Sequence, residues 1–305
     1  MSRHDARTTL FLSAGLSGAE PLADPQHATA LVALAESARI DLLVLGETGP
    51  TDPSPRFDPL VVAAWLAPHA GGVGLVAFTA ALEAEPFHVA RAMSALDFLT
   101  GGRSGWQPGL GGRNPARLGA LAAIVPEQAL PKALDFIAAT RSLWDSWDAD
   151  ALIIDAASGI YLDPDKVRPC HYHGPFFQVR GPLNAARPPQ GHPLLVQTDR
   201  DPLWRDLGAD VLIVDPDTDV RAGALRSARV APTDWNTAGL DRLQDQFRAG
   251  AMEGLHFALD DPLTELPRFT SEVLPELERR GLLGRPNRHG LLRARLGLPN
   301  PGVRS

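Results

Sequence analysis

The sequence predicts an α/β protein folded as a (β/α)8 TIM barrel. Two observations point there: short apolar runs alternate with stretches of helical spacing along the chain, and the connections between them do not reverse. A third removes the main rival, an open dinucleotide-binding sheet. Ser13-Ala14-Gly15-Leu16-Ser17-Gly18 has too few glycines, at the wrong spacing, for the phosphate loop such a sheet needs.

The elements follow in order. Residues 8–14 form a β-prone run ending in Gly15, and residues 27–39 then place Leu31, Leu34, Ala35 and Ala38 at helical spacing. Residues 41–45 are a compact apolar run closed by Gly46, as expected of a parallel strand covered on both faces, and residues 58–67 resume the helical pattern. Residues 72–78 read as the third strand and 86–99 as the third helix, with Val89, Met93 and Leu96 on one stripe. Residues 101–106 turn into the fourth strand, and 127–147 is the longest helical candidate. From about 149 to 191 Pro, Gly, His and aromatic residues crowd together without an amphipathic period. This excursion before strand five is expected to act as a lid over the barrel mouth. Periodicity returns at 193–197, 209–215 and, weakly, 227–231, with shortened links near strands six and seven. Residues 254–259 are the last strand and 263–280 the last helix. A single barrel domain over 1–281 is therefore expected, followed by a Gly/Pro/Arg-rich tail, 282–305, wrapped on the outside.

Composition limits the function classes. The chain has 305 residues, is 44% hydrophobic and 21% charged, and carries a formal charge of −7, which is globular and mildly acidic. With no long Lys/Arg run, neither nucleic acid nor an anionic membrane is the expected partner, and a small-molecule substrate is. One Cys excludes an internal disulfide and fits the cytoplasm. Arg3 and Arg7 precede a short apolar stretch mixed with Ser and Gly, which reads as a strand rather than a signal peptide. No run of eighteen apolar residues occurs, since residues 59–67 are stopped by Pro68 and His69, so no membrane span is expected.

Three blocks of residues resemble a known family. Glu85-Pro86-Phe87-His88-Val89-Ala90-Arg91, continuing through Ser94-Ala95-Leu96-Asp97-Phe98-Leu99-Thr100-Gly101-Gly102-Arg103-Ser104-Gly105-Trp106, is similar to a helix–strand signature of bacterial luciferase-like flavin monooxygenases. The group resembled is that of nitrilotriacetate and dibenzothiophene-sulfone monooxygenases. The second block runs from Leu143-Trp144-Asp145-Ser146-Trp147 to Val196-Gln197. The third holds Val273-Leu274-Pro275-Glu276-Leu277-Glu278-Arg279-Arg280-Gly281 and Leu292-Arg293-Ala294-Arg295-Leu296-Gly297-Leu298-Pro299. The resemblance implies a barrel holding FMN at the carboxyl ends of its strands. It also implies reduced FMN supplied by a separate flavin reductase, O2 as oxidant, and oxygenation of a small organic molecule. The cofactor brings the reactive atoms, so no catalytic side chain is assigned. Relatives often form homodimers, which leaves a homodimer as an expectation.

Barrel logic puts the site on the loops after the strands. The candidate cofactor residues are Glu47 after strand two, Thr79 after strand three, Trp106 and Gln107 at strand four, and Gln197 and Thr198 at strand five. From the resemblance, Thr79 matches a small hydroxyl residue near the flavin ring, and Gln107 stands where relatives carry Asn. After strand five, relatives have a Gly/Ser-rich run whose N–H groups bind the FMN phosphate. Here Gln197-Thr198-Asp199-Arg200-Asp201-Pro202 stands instead, setting Asp199 and Asp201 beside an anion. Arg113, Asn114 and Arg117 read as a solvated loop. Cys170, His171 and His173 lack the further ligands of a zinc site, and Trp144 and Trp147 read as an apolar helix face. Tyr161, Phe176 and Phe177 could shape a substrate pocket beneath the lid. Two other readings stay open: a non-catalytic barrel that has lost the phosphate site and serves in binding or as the partner of another chain, and a barrel that takes deazaflavin F420.

Overall fold

The computed structural model describes residues 9–16, 24–46, 58–110, 126–216, 218, 223–284 and 288–301. Among them the elements are β1 (Phe11–Leu16), α1 (Pro25–Ser37), β2 (Leu42–Leu45), α2 (Pro59–Leu66), β3 (Gly74–Ala80), α3 (Pro86–Leu99), β4 (Ser104–Gly109) and α4 (Pro126–Trp144). Two hairpins follow, β5 (Leu152–Asp155) with β6 (Ile160–Leu162) and β7 (Tyr172–His173) with β8 (Gln178–Val179). Then come β9 (Leu194–Thr198), β10 (Val211–Val214), β11 (Leu225–Val230), α5 (Thr237–Arg248), β12 (Gly254–Leu259), α6 (Pro262–Arg268), α7 (Leu274–Arg279) and α8 (Leu292–Arg295).

The eight strands β1-β12-β11-β10-β9-β4-β3-β2 close a barrel, every pair parallel. Helices begin where the sequence stops them from beginning earlier. Asp24 accepts from the N–H of Gln26 and Asp58 from those of Leu60 and Val61, each just ahead of a Pro in the first helical turn. The weakly patterned seventh barrel strand, β11, is present in full, and the link from β9 to β10 carries a 3₁₀ turn, Pro202–Arg205, in place of a helix. Helix α5 was not anticipated, although Leu240 and Leu243 bury one side of it.

Strand alternation divides the core in two. Inside the barrel, Phe11, Leu42, Val44, Val76, Leu194, Val196, Val211 and Ile213 pack together, and Leu292 and Leu296 of the C-terminal segment join them. That segment therefore plugs the amino end of the barrel rather than wrapping its outside. It is fastened to the residues that precede strands, with Arg293 on Asp210 at 2.6 and 2.7 Å and Arg295 on Asp41 at 3.0 Å. The second core lies between strands and helices.

The excursion before strand five is anchored on α4. Asp135 on α4 accepts from the N–H groups of Phe176 and Phe177, both at 2.8 Å, and from the Tyr172 hydroxyl. Trp147 Nε1 donates to Leu183 O at 2.8 Å, and Arg187 Nη1 to Trp144 O at 2.9 Å. Phe177 packs on Phe136, and Tyr161 stays exposed on the first hairpin. Backbone N–H groups bonded to one helix side chain fix the excursion along the flank of α4.

Candidate functional site

On β3 and β4 the alternation sends Val76, Phe78 and Ala80, and Gly105, Gln107 and Gly109, into the barrel, while Ala77 and Thr79, and Trp106 and Pro108, face the helices. Trp106 is 1% exposed and packs edge-on against Trp144 with ring centres 5.4 Å apart. Its Nε1 donates to Thr79 Oγ1 at 2.7 Å. Thr79 and Trp106 are thus paired with each other in the layer between sheet and helices. Gln107 is different: it faces inward, is buried, and its Oε1 has no hydrogen-bond partner among the described residues. A buried carbonyl oxygen left unpaired costs roughly 1–3 kcal/mol, which a ligand N–H would recover.

β4 and β9 pair only at Gly105–Leu194 and Trp106–Leu195. Above that point Gln197 bridges the strands, its Nε2 donating to Pro108 O at 2.6 Å while its Oε1 is buried and unpaired among the described residues. Thr198 faces inward, and its hydroxyl accepts from Arg229. Glu47, Arg113, Asn114 and Arg117 lie outside the described residues.

The two carboxylates that the sequence set beside an anion both have internal partners. Asp199 Oδ1 accepts from Arg229 Nη1 at 2.5 Å, and its Oδ2 accepts from Asp215 N at 2.8 Å and Thr218 Oγ1 at 2.7 Å. Burial alone would push the Asp199 carboxyl up, yet the Asp215 N–H, Arg229 and Thr218 together hold it below the ordinary carboxylate range. Arg229 also reaches the half-exposed Asp215 at 2.8 Å, so one guanidinium ties the ends of β9, β10 and β11. Asp201 Oδ1 accepts from Leu203 N, and its Oδ2 from Leu110 N, both at 3.0 Å. Gly109 is required there, because a side chain would collide with the Phe78 ring and the Asp201 carboxylate.

Sequence reasoning missed a polar cluster on the barrel axis. Ser13 Oγ lies 3.0 Å from Ser227 Oγ and 2.9 Å from His256 Nδ1, and all three residues are fully buried at inward positions of β1, β11 and β12. The signal was present: each is a polar residue at the inward phase of an apolar strand. Above this floor the inward positions at the carboxyl ends of β1, β3 and β12 are Gly15, Ala80 and Ala258. Ala258 is solvent-exposed although it sits in a barrel strand. The arrangement offers small walls, a polar floor and an unpaired acceptor on one side, which suits a flat, donor-bearing ring.

The family model described as luciferase-like monooxygenase matches residues 7–211. One chain of the pristinamycin IIA synthase of Streptomyces pristinaespiralis is 32% identical over 304 residues, covering 97% of this chain and 98% of that protein. Dibenzothiophene-sulfone monooxygenase of Rhodococcus erythropolis is 37% identical over 151 residues, covering 49% of this chain and 33% of that one. The chain spans less than half the length of the first curated relatives it matches, 40% and 33%. Among solved structures, EDTA monooxygenase from Chelativorans sp. BNC1 superposes with a TM-score of 0.76 at 20% identity, covering 97% of this chain and all of that one, a likeness of fold.

Proposed function

This chain belongs to the luciferase-like monooxygenase family, and from that premise we propose that it is the oxygenating component of a flavin-dependent monooxygenase. It takes reduced FMN from a separate flavin reductase, together with O2, and oxygenates a small organic molecule. The observation that carries this reading is Gln107, on the inward phase of β4, whose buried Oε1 has no partner among the described residues and fits a ring N–H. The flavin, when bound, supplies the oxygen-activating chemistry. The chain's own share is positional. Gln107 orients the ring edge, Thr198 shapes the wall beside it, Gln197 ties β9 to β4 behind that wall, and the Ser13–His256–Ser227 floor offers a polar contact away from bulk water. No helix among the described residues is long and apolar enough to cross a membrane. We assign the protein to the cytoplasm, as a homodimer.

A second reading is favoured by one observation: the near full-length match is to one chain of a synthase built from more than one, and a different chain of that same synthase matches too, at 29% identity over 161 residues. In that reading the protein is one barrel of a two-chain oxygenase and leaves flavin binding to its partner. Titration separates the two. The first reading expects the purified chain to quench FMN fluorescence and to melt at a higher temperature with FMN than with F420. Absence of binding to oxidised or reduced FMN at tens of micromolar would remove it and leave the second.

A further inference from the structure

The rim at the carboxyl ends of the strands contains the donors of an anion seat, and the chain has filled them with its own side-chain oxygens, three carboxylates and an amide. After β9 and β10, a backbone N–H, a hydroxyl and a guanidinium converge on one carboxylate, that of Asp199. The N–H groups of Leu203, opening the 3₁₀ turn after β9, and of Leu110, after β4, both go to Asp201. After β12, the N–H groups of Asp260 and Asp261 go to Glu265 Oε2 at 3.0 and 3.1 Å. After β11, Asn236 Oδ1 takes the N–H of Gly239 at 3.0 Å. Loops and helix starts at these places in a barrel are where a phosphate ordinarily finds orphan donors. Here an incoming phosphate must displace a carboxylate tethered to the same chain, which competes at high effective concentration. Failing that, the phosphate must sit beside Asp199, Asp201, Asp260 and Asp261 and bear their repulsion.

We infer that this chain recognises a flavin through its ring alone: among the described residues the rim does not fit the FMN phosphate, and the mouth takes riboflavin as well as FMN. This inference rests on the flavin reading of the mouth. The ring end keeps its unpaired acceptor on Gln107 and the small residues Gly15, Ala80 and Ala258 above the polar cluster, while the phosphate end has its donors already satisfied.

The test compares FMN and riboflavin on the full-length chain by fluorescence titration at low salt and at about 0.5 M NaCl, where screening is nearly complete. The expected result is dissociation constants within about threefold of one another, with FMN affinity unchanged or improved by salt. FMN binding more than about tenfold tighter than riboflavin, or FMN affinity that falls with salt while that of riboflavin stays constant, overturns the inference and leaves the flavin reading standing. Binding of neither flavin overturns both.

Discussion

Replacing Arg229 with Met tests the electrostatic bracket that shapes one side of the mouth. Arg229 and Asp199 have side chains only 7% and 8% exposed, with Nη1 and Oδ1 2.5 Å apart. Met fills much of the volume of the stem and removes the charge, leaving Asp199 with the Asp215 N–H and the Thr218 hydroxyl. Breaking a buried pair from one side typically costs about 3–5 kcal/mol. The two surviving hydrogen bonds, each worth about 1 kcal/mol, and the release of the half-exposed Asp215 place the expected loss at about 2–4 kcal/mol. Urea unfolding at neutral pH measures it. The pH dependence has a defined sign. The folded Asp199 carboxyl lies below its ordinary value of 3.8, so the wild-type pair contributes above that value and its contribution is lost as pH falls through the folded pKa. Without Arg229 the folded carboxyl takes up a proton more readily, so the gap between variant and wild type should narrow in acid. The double variant R229M/D199N should regain at least half of the loss. An R229M protein within about 0.5 kcal/mol of wild type, or a gap that stays constant into acid, would refute the bracket.

Other outcomes follow from the same geometry. Gln107→Leu removes an acceptor that has no partner among the described residues, so stability in urea should hold or rise by up to about 1 kcal/mol while flavin affinity falls about tenfold; unchanged affinity in a titration contradicts the placement of Gln107 in the mouth. Leu292→Ala opens a hole in the plug at the amino end and should cost about 2–5 kcal/mol, read from the shift of the urea midpoint; a loss under about 1 kcal/mol would mean that the C-terminal segment is not part of the inner core. His192 is held below its ordinary value of 6.5 by burial, against the pull of Asp145. The unfolded chain therefore binds protons first as pH drops below 6.5, and stability falls with it; His192→Gln should flatten that stretch of the stability–pH curve, and an unaltered slope would contradict the assignment.

Much of the barrel was legible because its strands are covered on both faces and so read as short continuous apolar runs. The third helix ends where its stripe ends, at Pro86 and Leu99, and β12 coincides with residues 254–259. β11 was faint for a physical reason. It carries Ser227 and Arg229 at inward positions, and their partners lie on or just after other strands: Ser13 for the first, and Thr198, Asp199 and Asp215 for the second. Helix α5 had a readable signal in Leu240, Leu243 and Phe247, spaced three and four apart, and so did the plug in Leu292 and Leu296. What those faces pack against is a long-range fact. At the candidate site the sequence named residues on the loops after the strands, but it did not give the directions of their side chains. Trp106 and Thr79 fall on the outer phase of their strands and bond to each other, Gln107 falls on the inner phase, and Asp199 is bonded to Arg229. One residue of register decides each of these orientations.

The most direct measurement is a crystal structure of the full chain grown with flavin. The account expects the tricyclic ring inside the carboxyl end of the barrel, with a ring N–H on Gln107 Oε1 and the Asp199–Arg229 pair intact beside it. A ring bound elsewhere, or a mouth closed by the chain's own side chains, would contradict it.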